Sequence, residues 1–311
     1  MSVECPYCKS SYSRKEGFYY TNKGQNKNQR YFCFKCEKKF SIPIESPEIG
    51  LPKILLFDIE TSLMEVYVWG LYKQFISHNN IIKDKDGNEK TWVVISWAAK
   101  WLYDEHVMSD IVTSREAKKR KDDRVLQSIW ELLDEADIVI GHNLDRFDIR
   151  KLNARFIDND IKPPSPYRTI DTLKVARREF AFVSYKQDYL TKHFELQNKL
   201  ETSFDLWVDC MKGDQKSLDL MERYNRQDVI GLEEVYLKIR PYMKNHPNLG
   251  VLMDADVCPN CGCEDLEELE TFYFTTANKF PVYRCTGCKT PYIRHKKNVN
   301  SIQTNIRSVP K

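Results

Sequence analysis

The fold of this chain is decided by residues 53–62, KILLFDIETS, where an apolar run leads directly into two acidic residues. The continuous apolar run 54–57 predicts a buried strand. Side chains at positions i and i+2 of a strand point to the same face, so Asp58 and Glu60 project together while Ile59 returns to the core. The stretch therefore predicts a central strand that carries a pair of carboxylates.

Two further acidic motifs follow along the chain. HNLDRFD ends at Asp148, in a loop between a short predicted strand, ADIVIGHN, and a helix. YNRQD ends at Asp228 on a long predicted helix, where Tyr224 lies one turn earlier and shares its face. Asp145 is an alternative to Asp148, but the Phe-Asp pairing favours Asp148. A pair of Mg²⁺ or Mn²⁺ ions requires several carboxylates that converge on one point. Two such ions can bind the attacking and the leaving oxygen of an in-line displacement at phosphorus. The pattern predicts a metal-dependent nuclease.

Composition limits the class of protein. The 311 residues are 41% hydrophobic and 12% aromatic, which suffices for a folded core. The mean hydropathy of −0.58 and the absence of an 18-residue apolar run exclude a membrane span. The start, MSVECPYCKS, lacks the pattern of a signal peptide. We therefore expect the protein to be located in a reducing cytoplasm, which would be the cytoplasm of the host cell if a phage encodes the chain.

Ten cysteines suggest zinc rather than disulfides in that compartment. Each end of the chain holds two CxxC pairs separated by about 20 residues, the spacing of a zinc ribbon with one structural Zn²⁺. Cys263 is an alternative ligand to Cys261, but the CxxC register favours Cys261. The predicted ligands are Cys5, Cys8, Cys33 and Cys36 at one end, and Cys258, Cys261, Cys285 and Cys288 at the other.

The ribbons are basic. Residues 1–40 hold nine Lys/Arg against three Asp/Glu, and residues 258–311 hold eight against five, so the centre is acidic. Basic flanks attract a polyanion. In the first ribbon, cations interleave with aromatic residues, which suits nucleic-acid binding. A purely structural role, or docking of a replication or repair protein, is the alternative. The candidate substrate contacts there are Arg14, Lys15, Lys23 and Lys27.

The order of elements predicts the architecture. A turn dipeptide, Asp86-Gly87, precedes a predicted strand in TWVVISWAAKW, and residues 122–135 show helical apolar spacing. Alternating strands and helices after an initial run of strands predict an α/β or α+β fold around one mixed sheet. The predicted domains are an N-terminal zinc ribbon at 1–42, a catalytic domain at 50–245, a C-terminal zinc ribbon at 255–296 and a flexible basic tail at 297–311.

Asp-x-Glu, Asn-x3-Phe-Asp and Tyr-x3-Asp, in this order, resemble the DEDD 3′→5′ exonuclease superfamily, also called DnaQ-like. The tyrosine matches the DEDDy branch, which includes the proofreading domains of family B DNA polymerases. The resemblance covers roughly residues 50–242 and implies an RNase H-like mixed five-stranded sheet flanked by helices. YVWGLY and ISWAAKW further resemble small exonuclease-like proteins of bacteriophages and bacteria.

The resemblance also implies roles for single residues. Tyr224 would orient the attacking water, Asn143 would position the substrate end or the loop that holds Asp148, and Asp171 would support the site. The implied two-metal hydrolysis needs no covalent intermediate, so neither Cys210 nor His142 is expected to act as a nucleophile. The implied ligands of the two Mg²⁺ or Mn²⁺ ions are Asp58, Glu60, Asp148 and Asp228.

The tryptophans, including Trp69, Trp97 and Trp101, are expected in the core rather than on a base-stacking surface. As an alternative for Trp69, the segment 69–72 near the first motif lines the substrate channel.

The expected function is that of a stand-alone 3′→5′ exonuclease acting on single-stranded DNA, with RNA as the second choice of substrate. A structure-specific endonuclease using the same site is a second enzymatic possibility. The non-enzymatic alternative is a nucleic-acid-binding adaptor that works through its ribbons. All four carboxylates and the tyrosine are present, which argues for an intact site.

Overall fold

The computed structural model describes residues 4–293 except 22–25, 44–51, 73–74, 197–199, 201 and 277, with backbone alone over 15–30 and 42–43. These residues fall into two compact units, Met1–Leu51 and Pro52–Lys311. The predicted basic tail, 297–311, lies outside the described residues.

The first unit is a small antiparallel sheet. Its three strands lie in the order β1-β2-β3, and Cys5 and Cys33 are buried beside Phe40. Tyr31 stacks on Phe40 with 5.3 Å between ring centroids. The prediction of a β-rich module is confirmed. The strands are β1 (Ser13–Thr21), β2 (Asn26–Cys33) and β3 (Lys39–Pro43).

The second unit is built on a mixed five-stranded sheet in the order β6-β5-β4-β7-β8. The strand β4 lies in the middle, antiparallel to β5 and parallel to β7, and β8 is parallel to β7. A central strand is covered on both faces, which explains the continuous apolar run at its start. The strands are β4 (Ile54–Thr61), β5 (Val94–Trp101), β6 (Met108–Ile111), β7 (Ile138–Gly141) and β8 (Arg168–Asp171).

Helices cover both faces of this sheet. The side chains of Leu55 and Phe57 pack with α2 and α3, whereas Leu56 packs with α4 and α5 on the opposite face. The long helix α7 contributes to both cores. The helices are α1 (Ser114–Lys119), α2 (Asp123–Glu135), α3 (Asp148–Asp158), α4 (Thr172–Glu179), α5 (Gln187–His193), α6 (Phe204–Met211), α7 (Gln215–Ile239) and α8 (Leu249–Leu252).

The C-terminal cysteines belong to the same compact unit as this sheet. They lie beside an antiparallel sheet of three strands, β9 (Leu266–Phe274), β10 (Lys279–Cys285) and β11 (Pro291–Ile293). The Nδ2 of Asn260 donates to the carbonyl oxygen of Arg240 at 3.2 Å, and the N–H of Leu249 donates to Pro259 O at 2.9 Å. The first bond joins the ribbon to the end of α7, and the second joins it to α8.

The predicted fold class, a mixed five-stranded sheet flanked by helices with small strand-rich cysteine modules at both ends, is confirmed. The helix predicted at 122–135 is α2, and the predicted turn has Gly87 at a φ of 86°. The sequence interpretation did not single out the short elements β6, α1 and α6. None of the described helices combines the length and the apolar composition needed to cross a membrane.

Candidate active site

The strand β4 presents two carboxylates at its carboxyl end. Ile59 is buried, whereas Asp58 and Glu60 on either side of it are partly exposed. Strand periodicity places both carboxylates on the same face, as the sequence predicted.

The helix α7 brings a third carboxylate to this point. Carboxylate oxygens of Asp58, Glu60 and Asp228 all lie within 4.8 Å of one another. Tyr224 lies one helical turn before Asp228, on the same face of α7. Burial raises the pKa of Tyr224 well above its usual range, and the charges of Asp228 and Glu60 raise it further. The phenol therefore stays protonated and acts as a hydrogen-bond donor.

Asp148 begins α3 and lies deeper than the other three carboxylates, with 2% of its surface exposed. The N–H of Ile59 donates to its Oδ1 at 3.3 Å, which ties it to β4. Burial raises the pKa of Asp148 to about 7, and the charges of Glu60 and Asp171 add to this. Asp148 is close to the group but not among the three carboxylates that lie within 4.8 Å. A divalent cation at this place would favour its ionised form.

The donor set fits a hard divalent cation. Oxygen ligands from several carboxylates are what Mg²⁺ and Mn²⁺ prefer. Residues far apart in the sequence, on β4, α3 and α7, supply them. We therefore identify this end of β4 as the candidate active site.

Two residues that the sequence interpretation missed hold the carboxylates in place. The Nδ2 of Asn225, a fully buried residue, donates to Asp58 Oδ2 at 2.7 Å, and its Oδ1 accepts from Ser96 Oγ at 3.0 Å. Trp207 Nε1 donates to Glu60 Oε2 at 3.2 Å. Asn225 lies three residues before the last acidic residue of YNRQD, so helical spacing could have revealed it; no local signal marks Trp207.

We predict that Asn225→Ala lowers the catalytic rate about 10- to 100-fold, the usual effect of removing a partner of a metal ligand. The substitution leaves the Ser96 hydroxyl without its acceptor and frees the Asp58 carboxylate to rotate. The Mg²⁺ concentration for half-maximal activity should rise, which a metal titration measures. A wild-type rate with an unchanged titration would show that Asn225 does not position Asp58.

The loop before α3 is held from β8. Asp171 accepts from the N–H of Asn143 at 3.0 Å and from that of Leu173 at 3.0 Å. Asn143 has a φ of 69°, and its carbonyl oxygen accepts from Phe147 N at 3.0 Å. Asp145 instead forms an ion pair with Lys174 at 2.7 Å. This arrangement supports Asp148 as the carboxylate that faces the site.

Cys210 and His142, the two other side chains with nucleophilic chemistry considered from the sequence, are engaged in the surrounding structure. Burial raises the pKa of Cys210 to about 12, which suppresses the thiolate. The ring nitrogens of His142 lie 2.9 Å from Thr172 Oγ1 and 2.8 Å from Tyr185 O. Neither residue is arranged as a nucleophile.

The expectation that Trp69 lies in the core is wrong. Trp97 is buried and Trp101 packs partly buried against the core, but Trp69 is fully exposed. It belongs to an exposed apolar segment that follows β4, which periodicity could not reveal because exposure depends on the tertiary contacts of the loop. The exposed members are Tyr67, Val68, Trp69, Leu71, Tyr72, Phe75 and Ile76.

Each predicted cysteine set converges. The Sγ atoms of each group of four lie within 4.8 Å of one another, with pairs such as Cys8–Cys33 and Cys261–Cys285 at 3.5 Å. Tetrahedral zinc with Zn–S bonds of about 2.3 Å places sulfurs about 3.8 Å apart, so both clusters fit zinc. Cys263 lies outside the group, with its Sγ 3.8 Å from Asp265 O.

The basic substrate contacts predicted in the first ribbon are described only in part. Arg14 is exposed, and its guanidinium lies 5.5 Å from the ring centroid of Phe32 and 5.6 Å from that of Phe34. Lys23 and the side chains of Lys15 and Lys27 lie outside the described residues.

Comparison with known proteins agrees with this fold. Residues 86–240 match the family model described as RNase_H superfamily. The match contains Asp148, Tyr224 and Asp228, whereas Asp58 and Glu60 precede it. No curated protein matches the chain. The central domain is RNase H-like, which supports nuclease activity on nucleic acid.

Proposed function

We propose that this protein is a metal-dependent 3′→5′ exonuclease of the DEDDy type that hydrolyses the terminal phosphodiester of single-stranded DNA. The observation that carries the proposal is the convergence of Asp58, Glu60 and Asp228 within 4.8 Å, with Tyr224 one helical turn from Asp228 on the same face of α7. Asp58 and Glu60 belong to the first acidic motif and Asp228 to the third, and Asp148 of the second motif is tied to β4 beside them. This is the order of motifs in the DEDDy resemblance.

The four carboxylates Asp58, Glu60, Asp148 and Asp228 would hold two Mg²⁺ or Mn²⁺ ions. Bound there, the ions would supply positive charge to the attacking water, the leaving oxygen and the phosphate. Asn225 and Trp207 fix the orientation of two of these carboxylates, and the N–H of Ile59 fixes Asp148. Pre-set ligands of this kind lower the cost of reorganisation during the reaction.

Tyr224 donates a hydrogen bond rather than removing a proton, because its raised pKa keeps it neutral. A donor next to Asp228 can fix the orientation of the attacking water. The loop residue Asn143 and the exposed Trp69 extend the site as surfaces for the substrate end. Base stacking on an exposed aromatic ring tolerates any sequence, which suits an exonuclease.

We predict that Tyr224→Phe lowers kcat about 10- to 1000-fold, by the loss of one oriented hydrogen bond in the transition state. KM and the thermal shift on adding Mg²⁺ should stay within about twofold of the wild type, since no metal ligand changes. Steady-state kinetics on a labelled oligonucleotide measures both constants. Tyr185→Phe, which removes a hydroxyl that bonds Phe180 O, is the matched control and should keep full activity.

The test of the proposed function is degradation of 5′-labelled single-stranded DNA and RNA with Mg²⁺ or Mn²⁺. A ladder that shortens from the 3′ end and disappears with EDTA is the expected result, and faster loss of one polymer identifies the substrate. Cleavage of a circular single strand would instead indicate an endonuclease. No cleavage of any substrate, with binding lost on removing residues 1–40, would indicate an adaptor.

A further inference from the structure

A groove with a volume of about 1220 Å³ lies between the C-terminal ribbon and the segment that follows α7. Its two walls are fixed to each other, because Asn260 of the ribbon donates to the carbonyl oxygens of Arg240 and Met243. We call it the ribbon groove, defined by Lys238, Tyr242, Lys244 and His246 on one wall and Tyr273, Arg284, Lys289 and Tyr292 on the other.

The walls of the ribbon groove are cationic. Lys238, Arg284 and Lys289 are exposed, and none of them has an ion pair among the described residues. Glu179 is the one acidic side chain among the described lining residues, and Lys244 binds its carboxylate at 3.0 Å. Arg178 binds the same carboxylate at 2.6 Å. The groove therefore keeps an excess of positive charge, which suits a polyanion.

Aromatic side chains stand among these cations. Tyr242 is 61% exposed and Tyr273 is 53% exposed, although both line the groove. Proteins that bind single-stranded nucleic acid combine cations along the phosphate backbone with exposed aromatic rings on which the bases stack.

A second depression adjoins the ribbon groove on the side of the loop that precedes Asp148. A smaller depression of about 180 Å³ shares Met243 and His246 with the groove and is lined at its other end by Asp145 and Asp171. Asp171 holds the N–H of Asn143 in the loop before Asp148. The two depressions together extend from the ribbon to the loop that precedes Asp148 and to the carboxyl end of β8.

We propose that the ribbon groove binds the single-stranded segment of the substrate that lies 5′ of the terminal nucleotide. This proposal rests on the proposed nuclease function and assigns a substrate-binding role to the C-terminal ribbon. A strand held in the groove would be tethered while successive 3′ ends reach the carboxylates. Asp228 and the groove residue Lys238 lie about 15 Å apart along α7. An oligonucleotide of about 3 nucleotides, at about 3.4 Å each, would end before the groove and lack these contacts.

The test measures binding without cleavage. The Asp58→Asn protein is titrated with fluorescent single-stranded DNA of about 3 and about 20 nucleotides, lengths that bracket common single-strand site sizes, at about 50 mM salt. Adding Arg284→Glu and Lys289→Glu should weaken binding of the long strand about 10- to 100-fold, with a shallower salt dependence. Binding of the short strand should change less than about twofold.

Two further variants keep the test decisive. Tyr273→Ala, which removes a ring without altering charge, should weaken binding of the long strand about 5- to 100-fold. Lys212→Glu with Lys216→Glu is the matched charge control, because both exposed lysines lie near the opposite end of α7, about 36 Å away along the helix. The control should bind both strands as the parent protein does.

Unchanged binding of the long strand in both groove variants would overturn the proposal. Equal weakening for both lengths, or in the charge control, would also overturn it, because the effect would then be non-specific electrostatics. The nuclease proposal is tested separately, since an otherwise wild-type protein with Arg284→Glu and Lys289→Glu should still degrade the short strand. Failure of every form to cleave would count against the nuclease proposal alone.

Discussion

Asp58→Asn is expected to lower kcat by about a thousandfold or more, because several kcal/mol of transition-state stabilisation depend on the metal ligands. The amide keeps the size of the side chain and can still accept the hydrogen bond from Asn225. The loss of kcat would therefore result from the removed negative charge and not from a change in the shape of the side chain. The same substitution removes one of several like charges that lie within 4.8 Å.

The stability of Asp58→Asn should change in the opposite direction to its activity. Without metal, its Tm should equal or exceed that of the wild type, because repulsion among the carboxylates is reduced. The rise in Tm that Mg²⁺ or Mn²⁺ produces in the wild type should be lost, since that rise reports binding to the folded state. Thermal unfolding with and without each ion measures both effects.

Asp145→Asn is the matched control for this experiment. It removes an acidic side chain from the adjacent loop, but one that pairs with Lys174 rather than with the carboxylate group. Its activity should stay within a few-fold of the wild type. An Asp58→Asn protein that keeps more than about a tenth of the wild-type rate would contradict the assignment of the site.

Cys285→Ser is expected to remove zinc from the C-terminal cluster and to lower the Tm of the second unit by about 10 °C. Binding of structural zinc supplies about 10–16 kcal/mol in small ribbon-like domains, so the module should unfold without it. The bond from Asn260 to the carbonyl oxygen of Arg240 and the bond from the N–H of Leu249 to Pro259 O would then be lost. About 1 kcal/mol shifts Tm by roughly 2–4 °C in a domain of this size, so losing a few kcal/mol gives the stated change.

Zinc content and thermal unfolding check this prediction. The wild type should hold two zinc ions per chain and Cys285→Ser one. Cys263→Ser is the control: its Sγ lies outside the cluster, so the variant should keep both ions. Retention of two zinc ions by Cys285→Ser, or loss of one by Cys263→Ser, would show that the ligand set is different.

Local sequence patterns predicted the main helices and strands, because each of these elements repeats its apolar side chains with one period, that of a strand or that of a helix. Alternation about Ile59 placed Asp58 and Glu60 on one face of β4, and the apolar spacing of α2 gave that helix nearly to the residue. The prediction that Trp69 lies in the core was wrong because it rested on residue type alone. A large aromatic side chain is buried only if other elements of the fold cover it.

Three features could be read from local sequence alone: the acidic motifs, the helical and strand periodicities that orient their side chains, and the two cysteine sets whose spacing suits zinc. The tertiary structure alone decided which groups meet across long separations. Asn225 reaches Asp58 across 167 positions, and Trp207 reaches Glu60 across 147. Periodicity fixes which face of an element a residue occupies, but packing decides which element covers that face. The ribbon groove is known only from the structure for the same reason, because its walls come from the end of α7 and from a ribbon whose docking no local pattern encodes.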